Sequence, residues 1–170
     1  GSTLTKLQSL TLDTEGAFTL GTIDLADAST VTVSGTNAKS AATFAKLGNT
    51  AQTYNLSLTA TGLKAGLTTG AIDAGTAAVT VDVSGVTGDV TLSTIDGDSG
   101  VTLNAKNLKG DLTNAASAIT TAAGAISVDA SATEGAVTLG ALTSTGAKGD
   151  VTVNAAGSLG GVTTGVITGH

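Results

Sequence analysis

The sequence contains no cysteine, methionine, tryptophan or proline, and all seven of its basic residues are lysines. Without cysteine there is no disulfide framework and no thiol chemistry. Aromatic residues make up only 2% of the chain and charged residues 12%, with a formal net charge of −6. Nucleic-acid binding needs clustered Lys and Arg with stacking aromatics, so that class is excluded. No apolar run approaches the roughly 18 residues of a membrane span, and no signal peptide is visible. The only histidine is the last residue, His170, and the only tyrosine is Tyr54. A chain without arginine or an internal histidine offers no evident base, nucleophile or metal triad, so the chain is not read as an enzyme. Polysaccharide lyases built on β-helices would need clustered carboxylates, a cation and ring-holding aromatics.

What is present is Gly, Ala, Thr, Val and Ser, with 41% hydrophobic residues and a positive mean hydropathy. A disordered chain would be less apolar and more charged. This chain should fold, around a core thin enough for small aliphatics to fill.

Two strand patterns alternate along it. The first reads apolar–Thr/Ser–apolar–polar, as in Leu10-Thr11-Leu12-Asp13, Val31-Thr32-Val33-Ser34 and Val101-Thr102-Leu103-Asn104. It starts at 10, 31, 56, 79, 101, 126 and 151, in steps of 21 to 25 residues. The second carries a Thr with a further aliphatic beyond it, as in Val90-Thr91-Leu92-Ser93-Thr94-Ile95, and starts at 18, 42, 67, 90, 112, 137 and 162. Each second start lies 11 residues after its partner, except the first, which lies 8 after. Two registers with a fixed offset mean one supersecondary unit, repeated. The local period of two and the β-branched residues make the units strands rather than helices. The expected fold is therefore all-β, a parallel β-helix or β-solenoid of about seven coils with 21–25 residues per coil. At one interstrand spacing per coil the rod is roughly 34 Å long.

In this reading residues 1–9 are a cloning remnant, Gly1-Ser2, and a lead-in; 10–168 are one solenoid domain; and 169–170 are a tag stub, the whole a segment of a longer protein. Val79, Val81 and Val83 stack inside over Val101, Leu103 and Ala105, with the intervening Thr outward. Gly88, Gly110, Gly135 and Gly160 mark a corner at which positive φ costs glycine least. The stretch 38–47 contains good helix formers but keeps the strand register. Ser117 stands where Ile95 or Leu142 would be, so a bulge or loosened corner is expected near 114–123. Both ends of the rod are open strand edges, and end-to-end association is expected.

The candidate metal ligands are Asp96 and Asp98, in Asp96-Gly97-Asp98-Ser99-Gly100, and the ion would be Ca²⁺. The loop departs from an EF-hand, which wants an oxygen ligand at its fifth position and Glu at its twelfth; here these are Gly100 and Asn107. A solvated turn accounts for it better. Asp13, Asp82, Asn104, Asp129 and Asn154 recur at the fourth place of the first strand, as a cation-binding row or, on the structural reading, an Asx ladder. Asp89, Asp111 and Asp150 follow corner glycines as turn formers. Ranks of Thr-x-Thr on a flat face would order water and bind ice, but the outward pair is mostly Thr-x-Asp/Asn.

"VTVSGTNAKSAATF", "VTLNAKNLKGDLTNAA" and "KGDVTVNAAGSLGGVT", with the missing cysteine and low pI, give a chain that resembles the body of Gram-negative bacterial surface-layer (S-layer) proteins secreted by the type I route. The resemblance spans nearly all of 10–168. It implies an extracellular, cell-surface location, lateral contacts between copies in a two-dimensional array, Ca²⁺ dependence, and a cell-surface glycan held by another part of the parent chain. The calcium nonapeptides of that group are missing here. The function expected is thus a non-catalytic structural module of a surface array. The alternatives are a stalk or binding module of a secreted adhesin or autotransporter and, as a minor one, an ice-binding solenoid.

Overall fold

The computed structural model describes residues 8–25, 29–114 and 116–170. The chain enters one face as β1 (Ser9–Asp13) and crosses to a second face as β2 (Ala17–Ile23). It repeats this through β3 (Ser29–Ser34), β4 (Ala41–Gly48), β5 (Leu56–Thr61) and β6 (Gly66–Asp73). After β7 (Ala78–Gly85) the second face is divided at a corner into β8 (Val90–Thr91) and β9 (Ile95–Asp96). Three similar turns follow. They comprise β10 (Gly100–Asn104), β11 (Leu112–Thr113) and β12 (Ile119–Thr121); β13 (Ile126–Asp129), β14 (Val137–Leu139) and β15 (Leu142–Ser144); and β16 (Val151–Asn154), β17 (Val162–Thr164) and β18 (Ile167–Thr168).

The described strand pairings are all parallel, and face one is a seven-stranded stack in the order β1-β3-β5-β7-β10-β13-β16. The fold is an all-β parallel β-solenoid, close to the seven coils expected, with one face-one strand to each turn. The stretch with helix-forming residues is strand β4, because its Ala42, Phe44 and Leu47 are buried in the core between β2 and β6.

On face two the sequence register holds at every turn. Phe18, Ala42, Leu67, Val90, Leu112, Val137 and Val162 form one column. Ile23, Leu47, Ile72, Ile95, Ile119, Leu142 and Ile167 form another. Ile119, rather than Ser117, thus takes the place beside Ile95, and the corner between Leu112 and Ile119 is longer than its neighbours. Part of that corner, Ala115, lies outside the described residues.

Face one departs from the sequence register between β3 and β5, and a bulge between Thr59 and Thr61 sets Thr61 beside Gly85 of β7. Val31 lies beside Leu58, and Leu56 beside Ser29, a slip of two residues from the expected pairing of Val31 with Leu56. From Leu56 onward the expected column of Val79, Val101, Ile126 and Val151 is intact. A slip of two keeps every side chain on its own face, so it costs no burial.

Inside, Val79 and Val81 stack on Val101 and Leu103, and Val83 and Ala105 are buried with them. Each such valine or leucine contributes about 1.5–3 kcal/mol by leaving water. Phe18 and Phe44 meet edge to face at 5.9 Å. The corner residues Leu63, Val86 and Leu108 are buried, and Thr133 takes the equivalent place one turn further on, its hydroxyl 2.6 Å from that of Ser158.

The corner glycines need a different explanation from the expected one. None of Gly88, Gly110, Gly135 and Gly160 has a left-handed φ. They stack backbone on backbone: a Cβ on Gly110 would lie 2.4 Å from Gly88 C, and one on Gly160 would lie 2.2 Å from Gly135 C. Close approach, not torsion, excludes a side chain there. The left-handed corner falls elsewhere, at Asn107, Ala132 and Gly157, with φ of 59°, 54° and 70°.

Candidate interaction surfaces

The acidic turn comes first. Asp96 ends β9, and its carboxylate accepts a 2.6 Å hydrogen bond from the Thr120 hydroxyl one turn on. Asp98 lies in the following turn, where its backbone N–H donates to Gly75 O and its carbonyl accepts from the N–H groups of Ala123 and Gly124. The segment is clamped between the turns before and after it. Among the described residues there is no group of three or more His, Cys, Asp or Glu side chains arranged to hold a metal ion. The corresponding stretch 24–30 includes residues 26–28, which lie outside the described residues.

The Asx row on face one has a structural task in each turn. Asp82, Asn104, Asp129 and Asn154 stand in one column. Each side-chain oxygen accepts the backbone N–H two residues on, from Ser84, Lys106, Ser131 and Ala156 respectively, at 2.9–3.2 Å. These Asx turns end the strands. Asn154 also donates its amide to Asp129 at 3.2 Å. Hydrogen bonds from Ser131, its hydroxyl first and its N–H second, hold the Asp129 carboxyl below the usual carboxylate range, with Lys106 and Asn154 adding to the effect. Asp13 stands apart from the row: it pairs with Ser34, whose hydroxyl donates to it at 3.0 Å. Asp89 and Asp111 tie turn to turn, accepting the N–H groups of Asp111 and Ala136 at 3.0 and 2.8 Å. Asp150 is an exposed corner residue whose carbonyl accepts from Ile126 N–H.

The outward surface between these rows is regular and carries few charges, Lys46 beside Asp73 among them. On face two Thr19, Thr43, Thr68, Thr91, Thr113, Thr138 and Thr163 form an unbroken rank. On face one Ser9, Thr30, Ser57, Thr80, Thr102, Ser127 and Thr152 form a second. The sequence reading has outward hydroxyls on both faces; on face one the slip at Val31–Leu58 puts Ser9 and Thr30 in the rank in place of the expected Thr11 and Thr32. The slip also places Thr11, Thr32 and Thr59 in one column, so the first three turns present hydroxyl pairs where the last four present Thr or Ser beside Asp or Asn.

The two ends are apolar. Leu10, Leu12, Phe18 and Leu20 are only partly buried against the core, and Leu10, Leu12, Leu20 and Ile23 line a cleft of about 230 Å³ in the first turn. At the other end Val151, Val153 and Val162 are partly buried, and Val166 and Ile167 are 72% and 50% exposed. Their counterparts one turn earlier, Ile126, Val128, Val137 and Leu142, are buried.

No helix among the described residues is long and apolar enough to cross a membrane. No protein-family model matches this chain, and neither a curated protein nor a solved structure matches it either.

Proposed function

We propose that the chain is a non-catalytic structural module of a bacterial cell-surface protein, working outside the cell as part of a surface-layer array. The observation that carries this reading is the pair of in-register hydroxyl ranks, one on each face of a parallel stack. Ser and Thr lose little rotamer entropy on ordering, so a rank of them makes a lateral contact at low conformational cost. Repetition at every turn lets neighbouring rods meet along their length. The few charges leave those faces without strong repulsion between copies.

Electron microscopy of concentrated protein tests this, with and without millimolar Ca²⁺. Ordered two-dimensional sheets are expected, and Thr68→Lys with Thr91→Lys and Thr113→Lys should disperse them. Order that forms only with Ca²⁺ and is lost in Asp96→Asn/Asp98→Asn assigns those carboxylates to the assembly. Protein that never orders laterally overturns the array reading.

One observation favours the adhesin alternative. Tyr54, the chain's only tyrosine, is 47% exposed on the corner before β5, where an aromatic ring suits contact with a sugar or a protein. Saturable glycan binding that is lost in Tyr54→Ala, together with an absence of sheets, would select that reading.

A further inference from the structure

We infer that the folded chain joins Lys46 to Asp73 through an amide bond of its own making, a covalent tie between two neighbouring turns. The inference rests on one side-chain cluster and needs neither a cell-surface location nor the lateral contacts proposed above.

Four observations carry it. Lys46 of β4 places its Nζ 3.8 Å from Oδ2 of Asp73, the last residue of β6. That is too long for a hydrogen bond, yet the Asp73 side chain is only 10% exposed. Second, the Asp73 carboxyl is fixed at its other oxygen, because Oδ1 accepts the Gly75 N–H at 2.9 Å. Third, Asp96 stands in register beside Asp73 in the next turn, at an interstrand spacing of about 4.8 Å. Its carboxylate is held in turn by the Thr120 hydroxyl. Fourth, the pair differs from Lys109 and Glu134, an ion pair at 3.9 Å whose side chains are both mostly exposed. Water solvates those two groups, and such a contact has little consequence. A carboxylate taken out of water without a close partner is costly. An amide removes both charges at once, and its carbonyl oxygen keeps the bond from Gly75.

In the step, Lys46 Nζ passes one proton to Asp73 Oδ2 and attacks Cγ with the lone pair so freed. The C–N bond forms while negative charge gathers on Oδ1, where the Gly75 N–H stabilises it. The Asp96 carboxylate relays a second Nζ proton to Oδ2. The Cγ–Oδ2 bond breaks, Oδ2 departs as water, and the third proton stays on the amide nitrogen. No oxidant, reductant or cofactor takes part, and each chain reacts once. Groups held side by side react at an effective concentration that a condensation in bulk water lacks. The product constrains the unfolded chain as a disulfide would, in a sequence that has no cysteine.

The intact mass of the full chain, measured after prolonged incubation in the folded state, reads the bond. The expected mass is one water below that of the sequence. After denaturation, a protease that cuts beyond lysine should spare Lys46 and release Lys46 and Asp73 in one branched peptide. Lys46→Arg and Asp73→Ala should keep the full mass of their sequences, and Lys109→Arg should still lose water. Asp73→Asn should form the same bond with loss of ammonia in place of water, which a simple ion pair does not explain. Asp96→Asn should slow the reaction by about a hundredfold, and an undiminished rate overturns the relay assigned to Asp96. Circular dichroism checks that the variants remain β-rich; should they unfold, the mass of the unsubstituted chain decides alone. An unsubstituted chain that keeps its full mass, with Lys46 open to the protease, overturns the inference. So does a loss of water that maps to any other pair of residues.

Discussion

The first three turns and the last four, that of Leu112 and Ile119 excepted, use the same spacing of aliphatics on face two and build it differently. Leu67 and Ile72 are joined by one continuous strand, β6, whereas Val90 and Ile95, at equal spacing, belong to the two short strands β8 and β9. Strands β2, β4 and β6 run for 7, 8 and 8 residues; none of the eight strands that continue face two exceeds 3. The difference lies in what stands between the aliphatics and beneath them. Asn114 is buried in the inward column that holds Phe44, and its amide donates to the carbonyls of Leu92 and Ser93. Those carbonyls end β8 and turn the chain at the corner. Further on, the buried Thr121 and Ser144 hydroxyls lie 2.7–2.9 Å from the Gly124 carbonyl, to which both can donate, and from each other, at the far end of the β12 and β15 segments. On face two, apolar Leu20 and Phe44 therefore fill this column in the early turns and buried side-chain-to-backbone hydrogen bonds shape the later ones, whereas in the early turns such bonds, from Ser40 to Thr14 O and from Gln52 to Tyr54 O, lie at the corners. The equal aliphatic spacing is compatible with both.

The largest expected effect comes from removing packing in the early region. Phe44→Ala deletes a buried ring and its partner for Phe18, and should cost about 3–5 kcal/mol in denaturant unfolding. Val153→Ala, in the partly exposed last turn, should cost well under half of that. Equal costs would erase the contrast. Asn114→Ala strikes the later region by leaving the Leu92 and Ser93 carbonyls without their donor. A loss of about 1–3 kcal/mol is expected, with faster amide exchange around β8 and β9 and little change in β2 to β4.

Ala132 holds the left-handed conformation that Gly157 holds one turn later. Ala132→Gly should stabilise the chain by about 1 kcal/mol, since the strain of an L-residue at that φ exceeds glycine's added backbone entropy. A drop in stability would mean that the Ala132 methyl makes a contact that outweighs its torsion. The smallest effect concerns pH. The Asp129 carboxyl titrates lower in the folded chain than in the unfolded one, so its contribution is complete above the unfolded value near 3.9 and is lost as pH falls through the folded value. Between about pH 5 and pH 2 the unmodified chain should lose slightly more stability than Asp129→Asn. Parallel acid-unfolding curves would remove Asp129 from the account.

Much of this architecture is legible in the residues. The seven starts of the second pattern are the seven members of one observed column, because Thr flanked by aliphatics has only one way to bury both neighbours. The first pattern is less informative for a physical reason. Leu56-Ser57-Leu58-Thr59-Ala60 alternates throughout, and a strand of period two looks the same after a shift of two, so nothing in it distinguishes Leu56 from Leu58 as the partner of Val31. The glycine corner was visible, but a glycine required by torsion and one required by a neighbouring backbone look alike in a sequence. Asn114 is a similar case: its place after Leu112-Thr113 signals an irregular turn, and only its burial shows that its amide binds the carbonyls of the previous turn. Of the candidate surfaces, both hydroxyl ranks were legible from spacing, while the members of the face-one rank in the first two turns depend on a register that spacing leaves open.

That register is the most direct test of the whole account, since it decides which hydroxyls of the first two turns, Ser9 and Thr30 or Thr11 and Thr32, continue the face-one rank of Ser57, Thr80 and Thr102. Thr32→Cys/Thr59→Cys and Thr32→Cys/Ser57→Cys are the two variants to compare. Parallel in-register neighbours lie about 4.8 Å apart, within the reach of a disulfide. The account predicts rapid, near-complete oxidation of the Thr32→Cys/Thr59→Cys protein with its fold intact, and free thiols in the other. Oxidation of the Thr32→Cys/Ser57→Cys protein instead would contradict it and restore the simpler alignment of Val31 with Leu56.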